Sequence, residues 1–174
     1  MRIVVSDIET EGLNNCEKLW ICGGKDLSTG EVTRFDNCHE DPVAKAAAIE
    51  WYEAADLIVG HNFLSFDAVQ LNSLLKPRLI DPKKIVDTLI ISRLVDYGIQ
   101  IPKGAKTPHS LQAWGIRLGD YKGDHNDWTQ WSQEMVDYWY QDIEVSQALY
   151  EHFSSAIKNP TWRKSLRPDL DLKQ

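Results

Sequence analysis

The chain opens on the run Ile3-Val4-Val5 and ends that run on two carboxylates, Asp7 and Glu9. β-Branched residues in series favour a buried strand. Residues two apart on a strand share a face, so Asp7 and Glu9 project from one patch at the strand end. Anions held that close repel unless a cation neutralises them. Carboxylate oxygens suit a hard divalent cation such as Mg2+.

Two further segments place acids beside apolar structure. Leu57-Ile58-Val59-Gly60 reads as a second buried strand, followed by His61-Asn62-Phe63-Leu64-Ser65-Phe66-Asp67. Asp67 falls at the start of a helical pattern running from Ala68 to Leu75, where an N-cap role is the plain structural reading. Tyr138 and Asp142 are i and i+4 on a long helix and share one face, and Met135, Val145 and Leu149 extend the same stripe.

Taken in order, Asp-x-Glu, His-Asn-x-x-x-Phe-Asp and Tyr-x-x-x-Asp resemble the three exonuclease motifs of the DEDD superfamily, in its tyrosine-bearing, DnaQ-like branch. The histidine-bearing branch carries a histidine five residues before the last aspartate, a position held here by Asp137. Between the second and third motifs, Asp87-Thr88-Leu89-Ile90-Ile91-Ser92-Arg93-Leu94 is similar to the proofreading exonuclease domains of family A DNA polymerases, podovirus replicases above all. The same holds for His109-Ser110-Leu111-Gln112-Ala113-Trp114-Gly115-Ile116-Arg117-Leu118-Gly119, followed by Lys122-Gly123. The resemblance runs from about Ile3 to Phe153.

A length of 174 residues suits one domain with a sizeable core. With 26% charged and 43% hydrophobic residues the composition is that of a soluble globular protein. No apolar run approaches a membrane span, and the N-terminus reads as a strand rather than a signal peptide. Cys16, Cys22 and Cys38 are odd in number and lack close paired spacing, which argues against a zinc site or disulfide scaffold and suits a reducing compartment. The expected location is the cytoplasm of a bacterial or virus-infected cell. The net charge of −7 stands against the basic footprint usual in nucleic-acid binders. It predicts a short grip on a strand end, with few phosphate contacts and tighter hold supplied by a partner.

The pattern predicts strands over Ile3 to Ile8, Leu19 to Gly24 and Glu31 to Phe35, with Ser28-Thr29-Gly30 as a turn. A helix from Pro42 to Ala55, the strand from Leu57, the Asp67 helix and a Pro82-Lys83-Lys84 loop follow. Next come a short strand at Ile85-Val86 and a helix from about Thr88 to Asp96. A Gly/Pro loop runs to Pro108, a short helix begins near His109, and a polar segment covers Gly119 to Asn126. The last helix covers about Gln133 to Ile157. Antiparallel strands followed by alternating helices and strands suggest an α/β sandwich. With the resemblance, this implies a three-layer ribonuclease H-like fold, a five-stranded mixed sheet flanked by helices. The expected division is a 3'-5' exonuclease domain over 1–157 and an irregular tail over 158–174.

The resemblance implies a metal-dependent 3'-5' exonuclease that hydrolyses phosphodiester bonds at the 3' end of single-stranded or frayed DNA and releases nucleoside 5'-monophosphates, in proofreading or DNA processing. It implies two divalent ions, Mg2+ or Mn2+, held by Asp7, Glu9, Asp67 and Asp142, with Tyr138 orienting the attacking water. Thr10 and Leu13 follow the first acidic pair, where the family threads the terminal nucleotide, although a simple turn is the competing reading. Asn62, His61 and Phe66 are further substrate candidates, against a turn, a strand cap and a core aromatic respectively. His109 either approaches the scissile phosphate or opens its helix, the structural role being the preferred one; Tyr140 reads as core and Glu144 as solvated. Arg93, Lys103, Lys106 and Arg117 are phosphate-contact candidates or ordinary surface charge. Trp128, Trp131 and Trp139 stack on bases or fill the core. An exoribonuclease of the same fold and a non-catalytic replisome subunit remain alternatives. The expected partners are a DNA 3' end, with RNA as the other substrate, and a polymerase or replisome protein in trans.

Overall fold

In a computed structural model of the chain, residues 1–120 and 125–158 are described. The strands are β1 (Ile3–Ser6), β2 (Glu9–Thr10), β3 (Leu19–Asp26), β4 (Val32–Asp36), β5 (Leu57–Gly60) and β6 (Ile85–Asp87). The helices are α1 (Pro42–Glu53), α2 (Asp67–Leu74), α3 (Thr88–Val95), α4 (Leu111–Leu118) and α5 (Gln133–Lys158). Pro82–Lys84, expected as open loop, winds into a single 3-10 turn capped by Asp81.

All six strands join one mixed sheet. β1 runs antiparallel to β3 and parallel to β5, β6 runs parallel to β5, and β4 lies antiparallel on the other edge of β3. The sixth strand corrects the expected count of five, and the register explains it. Ser6 faces Gly24 and Glu9 faces Ile21, so β1 and β2 follow β3 in one register, interrupted at Asp7-Ile8. The sheet is therefore five strands wide, as a ribonuclease H-like fold requires, and its central strand is broken where the first two carboxylates sit.

Alternation along the strands divides the core into two. Val4, Ile8, Leu19 and Ile58 pack with Trp51, Tyr52, Ala68 and Leu71 under α1 and α2. Val5, Ile21 and Val59 pack with Met135, Val136, Trp139 and Ile143 under α5. Beyond α5, Leu149 and Phe153 join Trp114 of α4 and Ile91 and Val95 of α3. These are the three layers. The buried Tyr52 hydroxyl meets Ser6 Oγ at 2.9 Å and accepts the Gly23 N–H at 3.1 Å, tying β1 to β3 just before the break. A Cβ on Gly24 would run into the Val5 carbonyl, so only glycine lets β3 approach β1 there. The three cysteines are free and buried, and the Cys22 and Cys38 thiols touch at 3.7 Å.

Asp87, at the end of β6, anchors the loop that leads to Asp67. Its carboxylate caps α3 by accepting from Leu89 N and Ile90 N, and it also accepts from Asn62 N and Leu64 N. Four backbone donors thus converge on one buried side chain. Helix α5 reaches Lys158, where the irregular tail was expected to begin. The rest of that tail, 159–174, and Lys122-Gly123 lie outside the described residues. Among the described residues no helix is long and apolar enough to cross a membrane.

Asp87→Ala removes a helix cap and leaves buried N–H groups unmatched, which costs about 2–4 kcal/mol. Urea unfolding should show a lower midpoint with an unchanged slope, and Asp87→Asn should lose less.

Candidate metal centre

The break in the central strand releases two backbone groups from the ladder. The Asp7 carbonyl accepts from the indole nitrogen of Trp139 at 2.9 Å, across the interface with α5. The Ile8 amide serves the carboxylates of Asp7 and Asp67, favouring their ionised forms. Released backbone polar groups must find partners; here the carbonyl turns to α5 and the amide to the acidic side chains. Trp139 is fully buried. It is core, as one of the two sequence readings had it, but its hydrogen bond also fixes α5 against the Asp7 backbone. Nothing in the sequence spacing signals that bond.

One oxygen from each of Asp7, Glu9 and Asp142 lies within 4.8 Å of the others. Asp67 stands beside this trio as the first residue of α2. Its helix has no side-chain cap, so Asp67 is not the N-cap of the plain reading. Instead its carboxylate sits in the first turn, where the helix dipole favours negative charge. Burial raises Asp7 well above the ordinary carboxylate range, and the charges of Glu9, Asp67 and Asp142 raise it further. Burial likewise raises Glu9, followed by Asp142 and Asp67. Asp67 is raised by burial, with smaller contributions from Asp87 and Asp142, against the pull of the two amides.

The residues present fit a divalent cation. Glu9 is buried, and its Oε1 has no hydrogen-bond partner among the described residues. An acceptor stranded in this way beside two further carboxylates asks for a cation. The all-oxygen donor set suits Mg2+ or Mn2+.

Tyr138 packs edge-on against Trp128 at 5.7 Å and lies one helical turn from Asp142. Burial pushes its phenol well above the usual value, and the charges of Asp142, Asp7 and Glu9, with a hydrogen bond to Asp142, push it further. It therefore stays protonated and acts as a donor.

The remaining candidates sit around this centre in different ways. The Thr10 hydroxyl is turned inward, donating to the Gly12 carbonyl at 2.6 Å. Leu13 is exposed and shares a shallow cleft with Phe66 and Val69. Phe66 also packs on the core under α1. Asn62 adopts a left-handed conformation, φ 60°, in the turn before α2. Thr88 donates to the Gly60 carbonyl, so its hydroxyl accepts from Nδ1–H of His61 at 2.9 Å, which sets the histidine tautomer. Burial pushes His61 down to about 4 against the pull of Asp87, leaving it neutral at pH 7. His109 Nδ1 meets Ser92 Oγ at 2.7 Å, and the same oxygen accepts from Trp114.

Three expectations need correction. Tyr140 is 40% exposed rather than core, because it leaves the α5 stripe that buries Trp139 and Ile143. Glu144 is not merely solvated but takes both hydrogen bonds of Lys25, at 2.8 and 3.0 Å. Arg117 spends its guanidinium on the carbonyls of Pro108 and Gln100, leaving little for a phosphate. Trp128 and Trp131 are half-buried against the α5 side of the sheet.

Fold and site together define a mixed α/β protein whose central strand, second-motif helix and last helix gather acidic side chains at one end of a sheet. The chain matches no family model. It is similar to the DNA-directed DNA polymerases of Escherichia phage T7 and Enterobacteria phage T3, at 30% identity over 192 aligned positions in each case. The alignments cover 88% of this chain and 27% of each relative, so the chain corresponds to about a quarter of those polymerases.

A carboxylate whose pKa is raised by folding stabilises the folded state below its unfolded value, near pH 4, and that contribution is lost as pH rises through the folded value. Metal-free protein should therefore lose thermal stability as pH rises above about 4. Asp67→Asn should raise the metal-free Tm at pH 8 by about 2–4 °C, on the order of 1 kcal/mol, and weaken the upward shift given by Mn2+. Calorimetric scans at several pH values, with and without Mn2+, measure both. Trp139→Phe leaves the Asp7 carbonyl unmatched and should cost about 1–3 kcal/mol. Titration calorimetry should then show weaker Mn2+ binding than in an Ile143→Val control.

Proposed function

We propose that the chain is a metal-dependent 3'-5' exonuclease acting on single-stranded or frayed DNA. The observation that carries this reading is the convergence of Asp7, Glu9 and Asp142 to within 4.8 Å, with Asp67 and the protonated Tyr138 beside them. Similarity to part of two phage DNA polymerases supports DNA as the substrate.

Asp7, Glu9, Asp67 and Asp142 would hold the cations; burial first, and neighbouring carboxylates second, raise Asp7, Glu9 and Asp67, and bound cations would offset both. Bound there, a pair of divalent ions would supply Lewis-acid stabilisation of the charge developing on the attacking and leaving oxygens of an in-line displacement. In that displacement a water oxygen bonds to phosphorus and gives up a proton, the bond from phosphorus to the 3' oxygen of the preceding nucleotide breaks, that oxygen takes up a proton to become a 3'-hydroxyl, and a nucleoside 5'-monophosphate leaves. The phenol of Tyr138 is too weak an acid to be the base. Its O–H, bonded here to Asp142, would turn to donate to and orient the water. Leu13 and Phe66 offer an apolar surface to the terminal base, while the turn at Thr10 and the backbone at Asn62 border the path of the strand. His61, neutral and tied to Thr88, positions that border.

The test is digestion of 5'-labelled single-stranded DNA and matched RNA with Mg2+ or Mn2+, beside Asp7→Ala/Glu9→Ala. The expected result is a ladder shortening from the 3' end of DNA, absent in the double variant. Tyr138→Phe should be slower by about tenfold or more, the worth of one well-placed hydrogen bond. Intact DNA in every lane would sink the reading, and preferential RNA shortening would assign the ribonuclease.

A further inference from the structure

The acidic chain needs a surface for the strand that carries the 3' end, and one segment differs in sign from the rest. Between Thr88 and Gly119 there are four Lys or Arg residues and one acid, Asp96, in a chain of net charge −7. Arg117 is committed to two carbonyls, which leaves Arg93, Lys103 and Lys106. All three are exposed, and none has an ion-pair partner among the described residues.

Around these cations the surface is apolar and aromatic. Helix α3 turns Ile91 and Val95 into the core. Its opposite face carries Arg93 with Leu94, 64% exposed, and continues to Tyr97, 86% exposed. The loop over 98–108 presents Ile101 between the two lysines and the helix end. That loop does not hang free. Arg117 grips it at Gln100 and Pro108, and at its far end His109 is bound to Ser92 in the middle of α3. The loop is therefore tied at both ends to α4 through Arg117 and, through His109, to α3. Helix α3 is also joined to the candidate centre through its cap. Asp87, which caps α3, holds the amides of Asn62 and Leu64 in the loop leading to Asp67. Arg93 lies about 9 Å further along the helix axis.

We propose that the outer face of α3 and the 98–108 loop form the track for the single-stranded segment upstream of the scissile 3' end. This rests on the exonuclease reading. Arg93, Lys103 and Lys106 take phosphates, while Tyr97, Leu94 and Ile101 pack on unpaired bases. Cations interleaved with an exposed aromatic match single-stranded nucleic acid, whose bases stack without regard to sequence.

The test is anisotropy of a 5'-fluorescein-labelled 12-nucleotide single strand with the full chain in EDTA, where no metal-dependent cleavage proceeds, titrated over a series of KCl concentrations. Each phosphate contact contributes about 0.7 to the slope of log affinity against log salt. Lys103→Ala/Lys106→Ala should make the slope shallower by about 1.4, whereas Lys76→Ala/Lys83→Ala, with the same change in net charge, should leave it unchanged. Tyr97→Ala should weaken binding without changing the slope. Equal slopes for the two double variants would overturn the track. So would a wild-type dimer in sedimentation that Leu94→Lys dissociates, which would assign the face to a second copy. Salt-dependent binding with no 3' shortening in Mn2+ would keep the track and remove the exonuclease. Shortening with unaltered slopes would do the reverse.

Discussion

The burial of carboxylates close to one another is the constraint on which the site depends. Asp7, Glu9 and Asp67 are each raised first by burial and then by the charges of neighbouring carboxylates. A protein selected for stability alone would place apolar side chains there. The chain instead spends local order on the acids. It interrupts its central strand, aims the Ile8 amide at two carboxylates and sets Asp67 at a helix N-terminus. These donors reduce the repulsion without abolishing it. The residual repulsion leaves a cluster with the charge and donor atoms that suit a cation.

The acids come from three separate elements, so their spacing depends on how those elements are joined. Trp139 links α5 to the backbone of the broken strand. Asp87 links β6 and α3 to the loop before α2. Neither is part of the acidic set, yet each sets where a member of it stands. A buried hydrogen bond to a backbone group is a stiff link, because breaking it strands a polar atom away from water.

Much of this was legible in the sequence because it follows from period. The two-residue spacing of Asp7 and Glu9 and the four-residue spacing of Tyr138 and Asp142 each determine a face. The run Ile3-Val4-Val5 announces the strand that carries the first pair. What was not legible depends on contacts remote in sequence. The break between β1 and β2 leaves no mark in the residues, since Asp7-Ile8 reads as a continuing strand. Tyr140 reads as core from its aromatic side chain, but its phase on α5 differs from that of Trp139 and it lies partly in solvent. Arg117 looked available for phosphate only because its acceptors, Pro108 and Gln100, come from a loop whose path no local pattern gives.

The division of the sheet between two cores has a consequence for how such a chain can vary. Along the first strand Val4 and Ile8 serve the α1 side, while Val5 serves the α5 side, where Asp7 and Glu9 also project. A substitution at any one of these positions changes a single side chain. An insertion or deletion of one residue between Ile3 and Glu9 exchanges the faces, burying carboxylates under α1 and turning apolar groups toward the acidic cluster. This stretch can therefore drift in identity but not in length. Loops such as 98–108, which end at side-chain clasps rather than in ladder register, are where length is free to change.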